Sequence, residues 1–469
     1  MMPWGPAHPA VHEDASVLDE MIPIQVHYDG IEVFDKQEGH CWSFGSALGM
    51  GPPLDVWFPM ALVLEKWIPT PELKRELHDS MAQLGGYTLK WAKRGVMADV
   101  GFYGEVFASK YRREVAGKKM AGEYRLCFGG ILGDRKGVVE MSLYDRWYRC
   151  ICLCEMCDAE KPSNRRNPPA NPAMNYGNFS RSAPWRATRT SHEEYCRRAR
   201  TISPWVTHVE GGHLLLAWED LTHNVHLGHG RDASGSCIAE MLEEEVLEPG
   251  TTWEANLRAL DLECRRWCQH HGVAAPRYRL NPAAIGWGPS AHAATTYPEI
   301  SSAWQACAVR VLITFLAVKV EMQNLQHRQG KLRAQCIWGL AEFTHCLSIG
   351  GRWLPDDLRR RAGHALQVYL MCYQVLAGEA LAAQRFMWKV RPKHHYLCHL
   401  EELVSHHGWN PSYNQCLKQE DFCGRVARLA ANTHGETVML RTLERYLVAS
   451  AAKWHETVQH LQLGRWGRG

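Results

Sequence analysis

The sequence has neither a strong excess of charge nor a long apolar segment. Its 53 Lys and Arg residues against 50 Asp and Glu leave a formal net charge of +3, so no global electrostatic field selects a partner. The longest apolar run in a candidate helix, 311–318, is far shorter than the roughly 20 residues that cross a bilayer. The opening MMPWGPAHPA lacks the basic and then apolar segments of a secretory signal. We therefore expect neither membrane insertion nor secretion.

The composition indicates a folded chain with many unpaired cysteines. Hydrophobic residues make up 46% of the chain and charged residues 22%, which is typical of a globular protein that buries a large core. Seventeen cysteines, an odd number in a long chain without a secretory signal, argue against a disulfide framework. Metal binding by cysteine is therefore the hypothesis to test.

Hydrophobic periodicity predicts an α/β unit up to about residue 157, followed by a mostly helical region. The segments IPIQVHYDGIEVF, CWSFGSALG and VWFPMALVLEKW predict three consecutive antiparallel strands. Thr70 and Pro71 suit the N-cap and first turn of a helix, and EYRLCFGGILGD predicts a fourth strand. Helical patterns dominate from about residue 236 to 460. Between these regions, residues 161–200 contain nine Arg or Lys and two Glu, which indicates either a solvated basic loop or a phosphate-contacting strip.

Two aspartates lie in or at the end of predicted apolar strands, where burying a charged carboxylate costs free energy. Asp29 stands in the apolar context HYDGIEVF, where a charge is costly to desolvate unless it is paired or binds a cation. The alternative is an Asp-Gly hairpin turn. Asp134 follows FGGILG at the end of the fourth predicted strand, and an ordinary turn aspartate is the alternative there.

A thiol pair and an imidazole pair have the spacing of metal ligands. Cys154 and Cys157 form a Cys-x-x-Cys pair that can reach one ion from a single turn. A redox dithiol or two unligated cysteines are the alternatives. His395 and His399 are four residues apart, so on a helix both share one face; a solvated His-rich helix is the alternative. The neighbouring His394 is a second candidate for the first position.

Two further acids follow this histidine pair. Glu420 and Asp421 lie in NQCLKQEDFCGRVARLAANTH, where they either serve a site or only favour the dipole of a helix N-terminus. The order along the chain links the candidates. It runs from an acid on a first strand, through an acid after a fourth strand, Cys-x-x-Cys, a long helical region and His-x-x-x-His, to an acid on a late helix.

This order resembles the catalytic core of cut-and-paste DNA transposases of the CACTA and Plavaka kind, which are related to the Transib transposases and the V(D)J recombinase. The resemblance implies an α/β fold with a ribonuclease-H-like mixed sheet that is interrupted by a large all-helical insertion. It divides the chain into an extended or disordered segment (1–20), a first part of the core (21–160), a basic and zinc-associated region (161–235), the insertion (236–390) and helices that complete the core (391–460).

The resemblance also implies the roles of the candidate residues. Asp29, Asp134 and Glu420, with Asp421 as the alternative third acid, would hold two Mg²⁺ or Mn²⁺ ions for DNA cleavage and strand transfer. A structural Zn²⁺ would be bound by Cys154, Cys157, His395 and His399.

Two alternatives to this assignment stay open. Asp220, which precedes His223 in WEDLTHNVHLGHG, either orients a helix together with that histidine or replaces Asp134 as the second acid. The whole chain could also be a catalytically inactive, zinc-stabilised nucleic-acid or protein-binding domain of transposon origin. For the enzyme we expect DNA as partner, no membrane, a nuclear location and, as oligomer, a homodimer. Only 28 residues precede Asp29, too few for an independently folded DNA-recognition module.

Overall fold

The computed structural model of the chain describes residues 8–12, 15–34, 37–49, 51–120, 122–162, 171–248, 250–286, 296–323 and 327–466. The chain divides into two compact units. Unit 1 consists of Met1–Trp147, Thr190–Asp220 and Asn414–Gly469, and unit 2 of Tyr148–Arg189 and Leu221–Tyr413. Each unit is therefore built from segments that are distant in the sequence.

Unit 1 contains a five-stranded mixed sheet. Its strands are β1 (Met21–Phe34), β2 (Gln37–Ser46), β3 (Trp57–Leu64), β4 (Arg125–Gly133) and β5 (Ala217–Glu219). The spatial order is β3-β2-β1-β4-β5. The pairs β1–β2 and β2–β3 are antiparallel, whereas β4 runs parallel to β1 and β5 parallel to β4. An α/β architecture with a mixed sheet is thus confirmed, including the three consecutive antiparallel strands and the fourth strand.

Helices account for most of the remaining described chain. Several begin with a side-chain cap, such as Thr70, whose hydroxyl accepts a hydrogen bond from the Leu73 backbone N–H at 3.3 Å. The α-helices are α1 (Ala15–Glu20), α2 (Pro53–Val56), α3 (Pro71–Lys93), α4 (Lys110–Val115), α5 (Arg135–Ser142), α6 (His192–Arg198), α7 (Pro204–Thr207), α8 (Arg231–Glu243), α9 (Trp253–His270), α10 (Ala306–Glu321), α11 (Arg328–Ile349), α12 (Asp356–Ala382), α13 (Pro392–Glu402), α14 (Leu417–Ala431) and α15 (Val438–Trp466).

Unit 2 is helical and has its own hydrophobic core, which includes Leu340, Tyr369 and Tyr373. A π-helix, Thr222–Gly230, precedes α8. Helix α12 is the one described helix that is long and apolar enough to cross a bilayer. The core helices of globular proteins meet the same criterion, and buried residues recur along α12 from Leu358 to Ala380, so this helix is weak evidence for a membrane span.

The N-terminal segment differs from the expectation for residues 1–20. Pro9–His12 form a 3₁₀ turn and Ala15–Glu20 form α1, so these residues are helical rather than extended. A physical reason is a local anchor, because the His8 imidazole hydrogen-bonds the Phe128 carbonyl of β4 at 3.0 Å. Such a contact between distant residues has no sequence signal.

Candidate functional site: a row of carboxylates and a buried Cys2His2 group

The first two candidate acids lie on neighbouring parallel strands. In the β1–β4 register, His27 pairs with Leu132, so Asp29 and Asp134 each lie two residues further along. Asp29 is half-buried, and its Oδ1 accepts a hydrogen bond from the Gly30 N–H at 2.8 Å. The alternative of an Asp-Gly hairpin turn is wrong, because β1 continues to Phe34.

Asp134 also caps a helix. It is the N-cap of α5, and its Oδ1 accepts a hydrogen bond from the Gly137 N–H at 2.6 Å. A Cβ at Gly137 would lie 2.9 Å from the Tyr28 carbonyl oxygen of β1, so glycine permits the close approach of α5 to the strand that carries Asp29. Both readings of Asp134, a capping residue and a strand-end acid beside Asp29, are therefore compatible with its position.

Asp220 continues the row on the third parallel strand. Gly133 of β4 pairs with Glu219 of β5, which places Asp134 and Asp220 at equivalent positions just beyond their strands. The Asp220 side chain is buried, and its Oδ1 accepts a hydrogen bond from the Cys416 N–H at 2.8 Å. Cys416 immediately precedes α14, so Asp220 anchors the beginning of that helix.

Helix α14 carries the third candidate acid. Glu420 lies in its first turn and is exposed, and its N–H donates to the Cys416 carbonyl at 2.8 Å. The neighbouring Asp421 forms an ion pair with Arg425 of the same helix at 3.1 Å. Asp421 is therefore already paired within α14.

Two buried thiols lie within electrostatic range of the candidate carboxylates. Burial raises the pKa of Cys416, and the negative charges of Asp220, Glu420, Asp29 and Asp134 raise it further. All four carboxylates are thus within electrostatic range of one sulfur. In Cys423, a hydrogen bond with Cys41 and burial raise the pKa, and Asp29 and Glu420 add to the effect. No sequence motif marks Cys416 as part of this site.

The second cluster, in unit 2, is a buried group of two thiols and two imidazoles. The ligand atoms of Cys154, Cys157, His395 and His399 all lie within 4.8 Å of one another. Cys154 Sγ is 3.3 Å from His399 Nε2, and Cys157 Sγ is 3.3 Å from His395 Nε2. A tetrahedral zinc ion with Zn–S near 2.3 Å and Zn–N near 2.0 Å gives S–N separations of about 3.6 Å. This buried Cys2His2 group could therefore hold a metal such as zinc.

Local structure explains how each half of the group is formed. Residues Cys152 and Glu160 form an isolated antiparallel bridge that closes the loop of the two cysteines. Within this loop the Met156 N–H donates to Cys154 Sγ at 3.4 Å. His395 and His399 are one turn apart on α13, as the sequence predicts.

The protonation states in the group favour metal binding. Burial raises the pKa of Cys157, but hydrogen bonds with Cys154, His395 and His399 outweigh this effect and hold the pKa well below its ordinary value. Burial, with the nearby charges of Arg189 and His395, lowers the pKa of His399. A thiolate and a neutral imidazole are the forms that bind metal.

His394, the alternative ligand, lies outside the group. Its ring stacks on Phe179 at 5.2 Å and meets His229 edge-to-face at 4.1 Å. Burial lowers the pKa of His394 to about 3. The spacing in the group is therefore that of His395 and His399.

Part of the basic segment supports the Cys2His2 group instead of forming a free strip. Arg186 donates to Glu402 at 2.6 Å, Arg189 also pairs with Glu402, and Arg181 pairs with Glu401 at 2.6 Å. These two glutamates follow His399 on α13. A phosphate strip built on these arginines would have to compete with carboxylates that already neutralise them.

The other basic residues of this segment add little to such a strip. Arg197 and Arg198 both lie close to Glu194 of their own helix, at 2.6 and 3.6 Å. Arg165 and Arg166 lie outside the described residues.

Trp185 is a further contributor that the sequence analysis missed. Its ring is fully buried and lies 4.4 Å from the His395 ring and 5.6 Å from the His399 ring. It thus shields the imidazoles from water. Nineteen tryptophans in the chain leave no sequence signal that would single out this one.

No protein-family model matches this chain, and no curated protein matches it significantly.

Proposed function

We propose that the chain is the catalytic core of a transposase-like enzyme that cleaves DNA strands and transfers them with divalent metal ions. The observation that carries the proposal is the row of acids on three neighbouring parallel strands, with Asp29 inside β1 and Asp134 and Asp220 directly after β4 and β5. Glu420 joins this row from α14. The shared electrostatic effect of these acids on the Cys416 thiol supports their proximity. DNA in the nucleus is the substrate that this proposal implies.

The sheet supports the finer assignment of a ribonuclease-H-like core. Three antiparallel strands are followed by two strands that run parallel to the first, in the order β3-β2-β1-β4-β5. This is the arrangement expected of such a core. Asp134 and Asp220 lie at the carboxyl ends of β4 and β5, where a ligand site is expected in open α/β sheets. Asp29 lies level with Asp134 on β1.

Asp29, Asp134 and Glu420 offer the type of ligand that a hard divalent cation takes. Carboxylate oxygens are the ligands that Mg²⁺ and Mn²⁺ prefer. The nearby Cys416 stays protonated, because burial and the surrounding acids raise its pKa, so its thiol does not compete as a ligand. When bound, two such ions would activate a water or a 3′-hydroxyl and stabilise the leaving 3′-oxygen. In this proposal Asp29, Asp134 and Glu420 hold the ions, and Asp220 positions α14.

Zinc has a structural role in this proposal. The Cys2His2 group joins two segments of unit 2 that are far apart in the sequence, since 395 − 157 = 238 residues separate its inner ligands. All four ligand positions are filled by side chains, which is typical of a structural rather than a catalytic zinc site. The metal would therefore stabilise the fold without taking part in the reaction.

The test is cleavage of a supercoiled plasmid with Mg²⁺ or Mn²⁺. Asp29→Ala and Glu420→Ala should each lower the rate at least about 100-fold, because metal-bound catalysis contributes several kcal/mol to the transition state. Asp421→Ala is the matched control, since this neighbouring acid pairs with Arg425, and it should cleave nearly as well as the parent. Equal cleavage by parent and Asp29→Ala would assign the activity to a contaminant.

A catalytically inactive, zinc-stabilised binding domain is the second candidate. The observation that favours it is that Asp134 and Asp220 already accept backbone hydrogen bonds at helix starts, at 2.6 and 2.8 Å. These acids would then be structural. No cleavage by the parent under any divalent metal, together with intact zinc and intact nucleic-acid binding, would favour this candidate.

A further inference from the structure

A basic cleft with exposed aromatic rings lies in unit 1 at the C-terminal end of α3. The cleft has a volume of about 640 Å³, and its lining includes Tyr87, Lys90, Arg94 and Arg125. Helix α3 ends with Lys90, Lys93 and the C-cap residue Arg94. Two further tyrosines, Tyr103 and Tyr124, complete the surface, which we call the basic-aromatic surface.

Two cations of this surface are available for an anion. Lys93 pairs with Glu210 at 2.7 Å, and Arg125 lies 3.4 Å from Glu20. Among the residues that the structure describes, Lys90 and Arg94 have no carboxylate partner; both flank the Trp91 ring, with Lys90 Nζ 6.0 Å and Arg94 Cζ 5.1 Å from its centroid. The cleft therefore has a net positive charge.

Two tyrosines outside the lining of the cleft face solvent. Tyr103 is 90% exposed and Tyr124 is 57% exposed. Tyr124 directly precedes Arg125 in the cleft. Tyr103 is linked to the cleft through Phe102, whose ring packs against Tyr87 at 5.6 Å, and its backbone N–H donates to Glu105 at 2.8 Å. Large aromatic rings that are open to solvent are suited to stack on the bases of an unpaired strand.

The surface is separate from the carboxylate row. Arg125 begins β4 and Asp134 follows its end. Nine residues of strand, at about 3.3 Å each, separate these two positions by about 30 Å. The nucleotides held at the basic-aromatic surface are thus not the ones that meet the candidate catalytic acids.

We propose that the basic-aromatic surface binds a single strand of DNA. Lys90 and Arg94 contact phosphates, and Tyr103 and Tyr124 stack on bases. The choice of DNA rests on the proposed function, whereas the preference for an unpaired strand rests on the exposed rings. Binding here is sequence-tolerant, because phosphate contacts and stacking do not read base edges.

The test is fluorescence anisotropy of a labelled 20-nucleotide poly-dT strand with the Asp29→Ala protein, without added divalent metal. Replacing Lys90 and Arg94 by Gln removes two phosphate contacts. The salt slope should fall by about 1.4, which corresponds to about 25-fold weaker binding at 0.1 M salt relative to a 1 M reference. Replacing Arg258 and Arg266 by Gln is the matched control. Both are exposed on α9 of unit 2, and their loss should leave the affinity within about twofold.

A second variant tests stacking independently of charge. Tyr103→Ala with Tyr124→Ala should weaken poly-dT binding at least about 25-fold, because each lost stack costs roughly fivefold or more. The salt slope should stay unchanged, and binding of a duplex should change little. The proposal is overturned if the parent does not bind poly-dT, or if the Lys90 and Arg94 variant binds as tightly as the control variant. It is also overturned if the tyrosine variant weakens the binding of duplex and of single-stranded DNA equally, or if poly-glutamate of equal charge competes as well as DNA.

These outcomes are distinct from failure of the proposed function. Binding is measured in a variant that lacks Asp29, so it does not depend on cleavage. An intact basic-aromatic surface with no plasmid cleavage by the parent refutes the enzyme and leaves the DNA site. Cleavage without any effect of the surface variants refutes the DNA site and leaves the enzyme.

Discussion

Removal of the metal from the Cys2His2 group should unfold unit 2. Structural zinc contributes roughly 10–16 kcal/mol of apparent binding free energy in small domains, whereas whole domains are stable by only about 5–15 kcal/mol. Without metal, four buried ligand atoms within 4.8 Å of one another lose their common partner, and each buried polar group left unsatisfied costs about 1–3 kcal/mol. The loss should therefore exceed the margin of stability.

The assay combines metal analysis with thermal unfolding. Purified protein should contain about one zinc per chain, and Cys157→Ser should lose the zinc and the cooperative unfolding transition of unit 2. Hydrogen exchange should rise first in α13 and in the cysteine loop. Cys398→Ala is the matched control, because Cys398 is equally buried and adjacent to His399 but lies outside the group. It should lose some packing energy but keep the zinc.

A metal-free protein of undiminished stability would refute this reasoning. So would a Cys157→Ser variant that melts at the same temperature as Cys398→Ala. Both results would show that the thiols and imidazoles are held together without metal, by their mutual hydrogen bonds and by packing against Trp185.

Three further predictions concern unit 1. Asp220→Ala should lower the free energy of unfolding by about 1 kcal/mol and reduce plasmid cleavage, because the hydrogen bond from the Cys416 N–H at the start of α14 is lost. Asp220→Asn keeps an acceptor oxygen and should retain most of the stability and most of the cleavage. Equal loss in the two variants would contradict a purely positioning role. Burial lowers the pKa of His78 from 6.5 to about 3, so the free energy of unfolding should fall as the pH drops below 6.5. Between pH 7.5 and pH 5.5, chemical denaturation should show a fall in the free energy of unfolding that is about 1.4 kcal/mol larger in the parent than in His78→Phe. An identical pH dependence of the two proteins would show that His78 does not contribute. Gly130→Ala should lower the free energy of unfolding by at least about 2 kcal/mol, as measured by chemical denaturation. Gly130 has φ +116°, and a Cβ there would lie 2.4 Å from the Leu216 carbonyl oxygen. An unchanged free energy of unfolding would mean that β4 can shift locally.

The Cys2His2 group shows how far short spacings can predict a site. The Cys-x-x-Cys and His-x-x-x-His spacings each predict ligands on one turn, and the structure brings both pairs together. The choice between His394 and His395 could not be made from the sequence, because both fit a plausible spacing. It depends on which face of α13 points toward the cysteine loop, and His394 points instead toward Phe179 and His229.

The carboxylates show where such prediction stops. Asp29 and Asp134 are recognisable from their strand contexts, and the register aligns them. Asp220 directly follows a strand of only three residues, Ala217–Glu219, which is too short for its periodicity to be detected. Its alignment with Asp134 and its bond to Cys416 follow from a parallel pairing between distant segments. The catalytic roles of these acids stay predictions.

The sequence by itself determined the elements of this protein that depend on local patterns. Alternating apolar residues specify β1 to β4, capping residues such as Thr70 specify helix starts, and one-turn spacings specify each half of the metal group. The tertiary structure decided which distant elements meet: the pairing of β5 with β4, the anchoring of α14 by Asp220, and the neutralisation of Arg186 by Glu402. The physical reason is that strand pairing, ion pairing and burial depend on separations in space, and these leave no periodic trace in the chain.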